Sequence, residues 1–195
     1  MLDHVIVEVV SAIKDALENS MLEFAELDEK FQFDIWQGDI RYKSSCTLPG
    51  EANPPKIRTD ILLDWTTWSQ SAYRSWWMGD GLSQLPTVGV EVRLRIQLLA
   101  RQPDVDPLLP HLPEKVSLGK NFGLARADIR IESLQKHDRD SAIFAVEIVY
   151  LGSMRLIEKL LESPAELKEH IGAIGPWLAS TMITLSDQPL DFVQG

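Results

Sequence analysis

The sequence feature that most constrains the fold is a strict alternation of apolar and polar residues over residues 88–99. Apolar side chains take every second position: Val88, Val90, Val92, Leu94, Ile96 and Leu98. Glu91, Arg93 and Arg95 stand between them. A period of two residues belongs to a β-strand with one buried face, since a helix repeats about every 3.6 residues. The chain must therefore form a sheet with an apolar face that a second layer covers.

Shorter segments with strand character predict the rest of this sheet. They cover residues 31–36, 40–46, 57–65, 127–134 and 142–151. The connections at 37–39 and 136–140 have the length of hairpin turns, and a proline-rich loop occupies 48–55. Most neighbouring strands are thus joined too closely for parallel crossovers. We predict a twisted antiparallel sheet of about five to seven strands.

Helical periodicity appears at both ends of the chain. Residues 2–20 carry an apolar stripe with the spacing of an amphipathic helix. Towards the C-terminus, Ser153 and Ser163 are predicted helix caps, and Glu166 is expected to fold back to the Ser163 amide as a capping box. The dipeptide Gly175-Pro176 predicts a kink or break in the helix that follows, and the tail beyond it is expected to be irregular.

These elements predict an α+β fold with the N-terminal and C-terminal helices packed on one face of the sheet. The 195 residues contain no internal repeat and no evident linker. We therefore expect a single domain over residues 1–195.

The composition excludes several classes of function. Acidic residues outnumber basic ones by 29 to 19, which disfavours a nucleic-acid partner because phosphates require a surplus of positive charge. The single cysteine, Cys46, rules out an internal disulfide framework and agrees with a reducing compartment. No apolar run approaches the ~20 residues of a bilayer span, and the N-terminus lacks the features of a signal peptide. We expect a soluble, cytoplasmic protein without a membrane partner.

Motifs for metal, cofactor or nucleophilic chemistry are not found in the sequence. The histidines are scattered and form no metal-ligand pattern: His4, His111, His137 and His170. We expect His170 to face solvent beside Lys168 and Glu169, and Cys46 to be a small buried side chain rather than a nucleophile. No glycine-rich phosphate loop follows a strand and opens a helix. The sequence therefore predicts no metal site, no cofactor and no catalytic residue.

Carboxylates on two predicted strands are the one candidate for acid–base chemistry. Asp60 and Asp64 share a strand face, and Glu91 lies on the polar face of the 88–99 strand, with arginines beside both sets. If the two strands are neighbours, these carboxylates could form a polar floor for proton transfer. Alternation by itself also predicts a cross-strand ladder of opposite charges on a solvated face, and we favour that interpretation.

Four of the six tryptophans fall within residues 65–77, the most unusual local composition of the chain. Helical spacing predicts a short helix over 66–78, with Trp65 and Trp68 directed inward and Trp77 least suited to the inward face. The candidate binding residues are the aromatic ones of this helix: Trp68, Tyr73, Trp76 and Trp77. Such a cluster packs in a core, anchors a protein partner or lines a pocket for a flat apolar ligand. Core packing is the simplest interpretation, and the other two are functional alternatives.

Three functions remain for the chain. The first is a non-enzymatic protein-binding module, such as an adaptor, chaperone, assembly or immunity-type inhibitor protein, whose partner is another protein or a second copy of the chain. The second is a carrier of a small apolar or aromatic ligand in a tryptophan-lined pocket between sheet and helices. The third is an enzyme that uses carboxylates of the sheet. We rank the binding module first because of the acidic charge, the aromatic cluster and the missing catalytic motifs.

Overall fold

The computed structural model describes residues 3–24, 30–34, 37–81, 84–120, 122–134 and 142–193. Its α-helices are α1 (His4–Glu18), α2 (Thr67–Trp77), α3 (Glu158–Glu162), α4 (Pro164–Ile171) and α5 (Ile174–Ser186). Its strands are β1 (Glu23–Phe24), β2 (Lys30–Phe33), β3 (Ile40–Thr47), β4 (Ile57–Trp65), β5 (Thr87–Leu99), β6 (Lys115–Gly119), β7 (Phe122–Leu134) and β8 (Ile143–Arg155). A 3-10 helix, Asp106–His111, lies between β5 and β6.

All eight strands belong to one antiparallel sheet, which confirms the predicted α+β fold. The strand order is β1-β3-β4-β5-β8-β7-β6, and β2 pairs with the other end of β3. The strand of strict alternation, β5, lies between β4 and β8. A central position suits a strand whose apolar face must be fully covered. The predicted turn at 136–140 and the end of the predicted 31–36 strand lie outside the described residues.

Helices α1, α4 and α5 cover the apolar face of the sheet. α5 lies against β4, α4 lies against β6, and α1 packs on both of these helices. Under this layer lie the apolar side chains of β5, each at most 3% exposed: Val88, Val90, Val92, Leu94 and Ile96. Glu91, Arg93 and Arg95 point to the opposite face, where between 27% and 40% of their side-chain area is accessible. The predicted alternation therefore holds through most of β5.

The end of β5 departs from this alternation. A register shift between Ile96 and Leu99 places Leu99 in the core, at 1% exposure, in place of the predicted Leu98. Leu98 has a φ angle of +63°. The C-terminal tail, predicted to be irregular, pairs here: the Val193 amide donates to the Leu98 carbonyl oxygen at 2.7 Å, and Phe192 forms a bridge with Leu99. A β-bulge of this kind exchanges the side chains that face the core.

The predicted caps at the two serines have different outcomes. Ser153 does not cap a helix, because it lies within β8, which continues to Arg155, and pairs with Gly89 of β5 and Gly123 of β7. The Ser163 hydroxyl accepts a hydrogen bond from the Glu166 amide at 3.4 Å, so the predicted cap of α4 is confirmed. The Glu166 carboxylate, expected to return to the cap amide, contacts Lys159 Nζ at 2.8 Å.

The Gly175-Pro176 pair lies in the first turn of α5 and does not break it, contrary to the prediction. The interruption falls at Gly172 and Ala173, between α4 and α5. Proline is tolerated in a first helical turn because the amide that it lacks has no partner there. Gly175 instead permits close helix packing, since a Cβ atom at this position would lie 2.0 Å from the Ala16 carbonyl oxygen of α1.

Candidate functional site

α2 buries two polar side chains and exposes two of its four aromatic ones, which is unusual for a helix docked on a core. Its buried residues are Ser69, Gln70 and Tyr73. Trp68 is 65% exposed and Trp77 is 70% exposed. Large aromatic side chains gain much from burial, so their exposure on one short helix marks its surface as the candidate functional site.

Hydrogen bonds hold the inner face of α2. The Ser69 hydroxyl donates to the Thr87 carbonyl oxygen at 2.7 Å and accepts from the Thr87 amide at 3.1 Å. The Gln70 side-chain amide donates to the carbonyl oxygens of Gly38 at 2.8 Å and Trp65 at 3.2 Å. These bonds satisfy buried polar groups beside β3, β4 and β5. Polar contacts therefore contribute to the docking of α2, together with the buried Tyr73 and the partly buried Trp76.

Both ends of α2 are fixed by short-range interactions. The Thr66 hydroxyl caps the helix by accepting a hydrogen bond from the Ser69 amide at 3.3 Å. The Asp39 carboxylate accepts from the Thr67 amide at 2.7 Å, a favourable place for negative charge at a helix N-terminus. Gly79 follows the helix with a φ angle of +90°, a conformation that favours glycine and often ends helices.

The prediction that Trp65 and Trp68 both face inward is correct only for Trp65. Trp65 ends β4 and is fully buried, and its indole N–H donates to the Asp3 carboxylate at 3.0 Å. Trp68 lines a shallow notch on the outer side of α2 together with Gln84. Helical spacing does not relate the two tryptophans because Trp65 precedes the helix, and Ser69 takes the inward position instead.

Three predicted binding residues form a cluster at the C-terminal end of α2, which we call the aromatic tip: Tyr73, Trp76 and Trp77. Their ring centroids are 5.9 Å apart for Tyr73 and Trp76, and 6.2 Å apart for each of the two pairs that include Trp77. These separations lie in the range of favourable aromatic pairs. Tyr73 is buried against Trp65, Trp76 is half-buried and Trp77 is exposed. The first two rings thus support the third.

Trp68 does not belong to the aromatic tip. It lies nine residues before Trp77, which corresponds to about half a turn around an α-helix axis. The notch beside Trp68 is lined by small and polar side chains: Ser71, Ala72, Ser75 and Gln84. The four predicted binding residues therefore occupy two separate places on α2.

Carboxylates surround the aromatic tip. The Trp76 indole N–H donates to the Glu158 carboxylate at 3.4 Å. Burial raises the pKa of the Tyr73 hydroxyl, and the negative charges of Asp3 and Glu8 raise that pKa further. The Tyr73 ring therefore stays neutral and apolar near neutral pH, within a negative electrostatic environment.

Part of this negative charge is compensated within the chain. Asp3 forms an ion pair with Arg74 at 3.0 Å. Two further carboxylates are exposed: Glu158, which contacts the Trp76 indole, and Asp80, which follows α2 by three residues. Exposed carboxylates therefore remain beside the aromatic tip.

The carboxylates of the sheet also come together, on the face opposite the helices. β4 and β5 are neighbours, and Asp60 lies opposite Arg93. Arg93 also forms an ion pair with Glu91 of its own strand, and Asp64 pairs with Arg41 of β3 at 3.4 Å. The three predicted carboxylates therefore share one face, where each lies in or beside a pair of opposite charges.

Asp60 is the most strongly held of these carboxylates. It accepts hydrogen bonds from the Ser45 hydroxyl at 2.6 Å and from Arg58 at 2.8 Å, and Lys43 Nζ lies 3.1 Å away. Burial acts to raise the pKa of Asp60, but these partners outweigh it and lower the pKa. An Asp60 carboxylate that stays ionised suits a structural ion-pair network better than a group that exchanges protons near neutral pH.

Neither Cys46 nor His170 has the exposed surroundings of a reactive group. Cys46 is fully buried, and burial, reinforced by Asp60, raises its thiol pKa to about 12. His170, predicted to face solvent, is half-buried with its ring 6.4 Å from that of Phe122, and burial lowers its pKa. His137 lies outside the described residues. In the part of the chain that is described, His, Cys, Asp and Glu form no group of three or more that could hold a metal ion.

Comparison of the chain with protein-family models, with curated proteins and with solved structures finds no match. Among the described residues, none of the helices has both the length and the apolar character needed to cross a membrane.

Proposed function

We propose that the protein is a non-enzymatic protein-binding module whose aromatic tip anchors a protein partner. The observation that carries this proposal is the 70% exposure of Trp77 beside the supporting rings of Tyr73 and Trp76. Tryptophan is among the residue types most enriched at binding hot spots, where its truncation costs about 2 kcal/mol or more of binding free energy.

The support of the aromatic tip favours this role energetically. Binding costs free energy when a flexible side chain must be ordered, and the cost falls when the side chain is already held in place. Tyr73 and Trp76 restrict the Trp77 ring, and hydrogen bonds of Ser69 and Gln70 fix the helix that carries it. The aromatic tip therefore has the pre-ordered geometry that an anchor needs.

The charge around the aromatic tip indicates the chemistry of the partner. Exposed carboxylates at Glu158 and Asp80 favour a segment that carries lysine or arginine next to an apolar residue. A cation placed over the face of Trp77 adds a cation–π contact. The net charge of −10 extends the same preference to longer range and speeds association with a basic partner at low salt.

A carrier of a small apolar ligand is the second candidate, and the geometry supports it less. A carrier needs a concave site that encloses its ligand with several apolar side chains. In the described residues, Trp65 is packed in the core, Trp68 lines a shallow notch and Trp77 lies about half a turn away around α2. An enzyme is third, because Asp60 is held in an ionised pair network.

Site-specific photo-crosslinking in the cells that naturally make the protein tests the proposal. A photoreactive phenylalanine analogue replaces Met78, which is 71% exposed and adjacent to Trp77, so that the anchor stays intact. The matched control carries the same analogue at Ile183, which is 51% exposed on α5. We expect a defined protein adduct from position 78 only, which weakens at high salt and disappears when Trp77→Ala is added.

The outcome depends on proteins that remain folded. Because Trp77 is mostly exposed, Trp77→Ala should change the free energy of unfolding by less than about 1 kcal/mol, whereas truncating the buried Trp65 should cost about 3–5 kcal/mol. Adducts that persist in Trp77→Ala, or that form equally at positions 78 and 183, would refute the aromatic tip as the binding surface. Saturable uptake of a small apolar dye that Trp68→Ala abolishes would favour the carrier instead.

A further inference from the structure

One long edge of the sheet is unpaired in the part of the chain that the structure describes. β8 pairs with β7 along the whole of β7, but β6 pairs only with the part of β7 that ends at Ala125. The Arg126 amide then donates to the Glu114 carbonyl oxygen at 2.8 Å. Residues 127–134, which we call the free edge, follow on this side without a described partner strand.

The free edge has only part of the usual protection against pairing. Sheets protect a long edge strand with charged side chains, above all lysine, with proline, with β-bulges, or with a covering segment. The charged side chains of the free edge, Asp128, Arg130 and Glu132, are of both signs, so they do not repel a strand of matching charge. The free edge contains neither lysine nor proline, and its apolar side chains Ile131 and Leu134 are 40% and 57% exposed. Its irregularity is confined to one end, between Arg126 and Asp128. An edge strand of this length and composition is suited to pairing with another strand.

We propose that a second copy of this chain pairs with the free edge, antiparallel, about a two-fold axis at Ile131. Opposite residues of an antiparallel pair lie on the same face of the sheet. A two-fold axis must therefore pass midway between two copies of the same residue, rather than between two successive residues. An axis at Ile131 pairs Arg130 of each copy with Glu132 of the other. Opposite charges directly across two strands are stabilising.

The neighbouring registers are less favourable. An axis at Arg130 would place two arginines opposite each other and would put Asp128 opposite Glu132, and like charges in these positions are destabilising. An axis at Ile129 would bring residues 133 and 134 of one copy against positions 125 and 124 of the other, which β6 already occupies. Charge therefore disfavours the axis at Arg130. The axis at Ile129 would set Asp128 opposite Arg130, but the position of β6 excludes it.

Two ion pairs within a single copy are compatible with this arrangement. Arg130 Nη2 lies 2.7 Å from the Asp128 carboxylate, and Arg95 Nη2 lies 2.7 Å from the Glu132 carboxylate. In the pair, Glu132 of one copy would lie between Arg95 of its own chain and Arg130 of the other. The contact thus extends an existing network of charges rather than burying an isolated ion.

Sedimentation velocity over a range of protein concentrations tests the proposal. We expect the unmodified chain to form a dimer, and Arg130→Glu and Glu132→Arg each to raise its dissociation constant by at least about tenfold, because two symmetric attractive pairs become repulsive. An equimolar mixture of the two variants should recover the dimer, since an acidic edge then faces a basic one. Arg101→Glu is the matched control, because it breaks an exposed ion pair with Asp191 beyond β5.

Each other result would overturn the proposal. The interface is excluded if the chain is monomeric at every concentration, or if neither charge reversal weakens the dimer. It is also excluded if the equimolar mixture of the two variants does not dimerise. If a reversal variant does not fold, Ile131→Lys replaces it, because this change sets two like charges at the axis and leaves Arg130 and Glu132 in place. The inference is independent of the proposed function, and Trp77→Ala should leave the dimer unchanged.

Discussion

Replacing Gly175 by alanine tests how α1 and α5 pack. A Cβ atom at this position would lie 2.0 Å from the Ala16 carbonyl oxygen, 2.6 Å from the Ala16 carbonyl carbon and 2.5 Å from the Ser20 hydroxyl. Ordinary contacts of a methyl carbon are about 3.5–4.0 Å. The hydroxyl can rotate away, but the carbonyl belongs to the helical backbone of α1. The two helices must therefore separate by about 1.5 Å before an alanine fits.

The expected cost follows from what this separation would disturb. α1 contributes eight buried residues to the core, so the helix cannot shift without loss of packing: Val5, Ile6, Val9, Val10, Ala12, Ile13, Ala16 and Leu17. Overpacking of an interior costs about 1–3 kcal/mol, and a clash with rigid backbone belongs at the upper end. Alanine returns up to about 1 kcal/mol because it favours a helix more than glycine does. The net loss is about 2 kcal/mol or more.

Urea unfolding followed by tryptophan fluorescence measures this loss, which corresponds to a decrease in Tm of roughly 4–8 °C for a chain of this size. Gly172→Ala is the control, because its nearest neighbour is the Lys168 carbonyl oxygen at 3.2 Å and its backbone is helical. The control should change stability by no more than about 1 kcal/mol in either direction. If Gly175→Ala is as stable as the unmodified chain, the close packing of α1 on α5 described above is wrong.

Three further predictions concern the core, a helix cap and pH. Leu94→Ala should lower the free energy of unfolding by about 2–5 kcal/mol in urea titrations, and a smaller loss would contradict the central position of β5. Ser163→Ala should cost about 0.5–2 kcal/mol in the same assay. Burial acts to raise the pKa of Asp60, but Ser45 and Arg58 outweigh it and lower the pKa. The ionised carboxylate therefore stabilises the fold fully above its unfolded-state pKa of about 3.9, and this stabilisation is lost as the pH falls through the lower folded-state pKa. The unfolding free energies of Asp60→Asn and the unmodified chain should therefore differ near neutral pH and converge on acidification; a constant difference would contradict the assigned cause.

The sheet could be predicted from the sequence wherever burial of one face imposed a period of two. β5 and β4 follow their predicted bounds closely, because both lie inside the sheet and turn one face to the helix layer. The short strand β6 was not predicted, since its five residues carry too few apolar positions to show a period. The bulge at Leu98 lies where the strand pairs with residues 192 and 193, and a local pattern does not contain such distant contacts.

The position of α2 in the sequence was predicted, but the direction in which its side chains point was predicted only in part. Its start at Thr66 and its end before Gly79 follow from local capping chemistry. Hydrophobicity alone predicted Trp68 inward, but the surroundings of α2 offer backbone carbonyls that need donors, and Ser69 and Gln70 supply them. Which face of a helix docks on polar neighbours is a tertiary property, so it could not be derived from the residues of the helix.

The two proposed surfaces lie on different parts of the sheet, which affects how they would act together. α2 is attached beside β3, β4 and β5, whereas the free edge belongs to β7, two strands beyond β5 in the sheet. Pairing through β7 would join two sheets into one and hold two aromatic tips in a fixed relation. A partner with two basic, apolar segments would then bind the second tip at a high effective concentration. Such a dimer would therefore bind a divalent partner more tightly than a single tip allows, without any further contact.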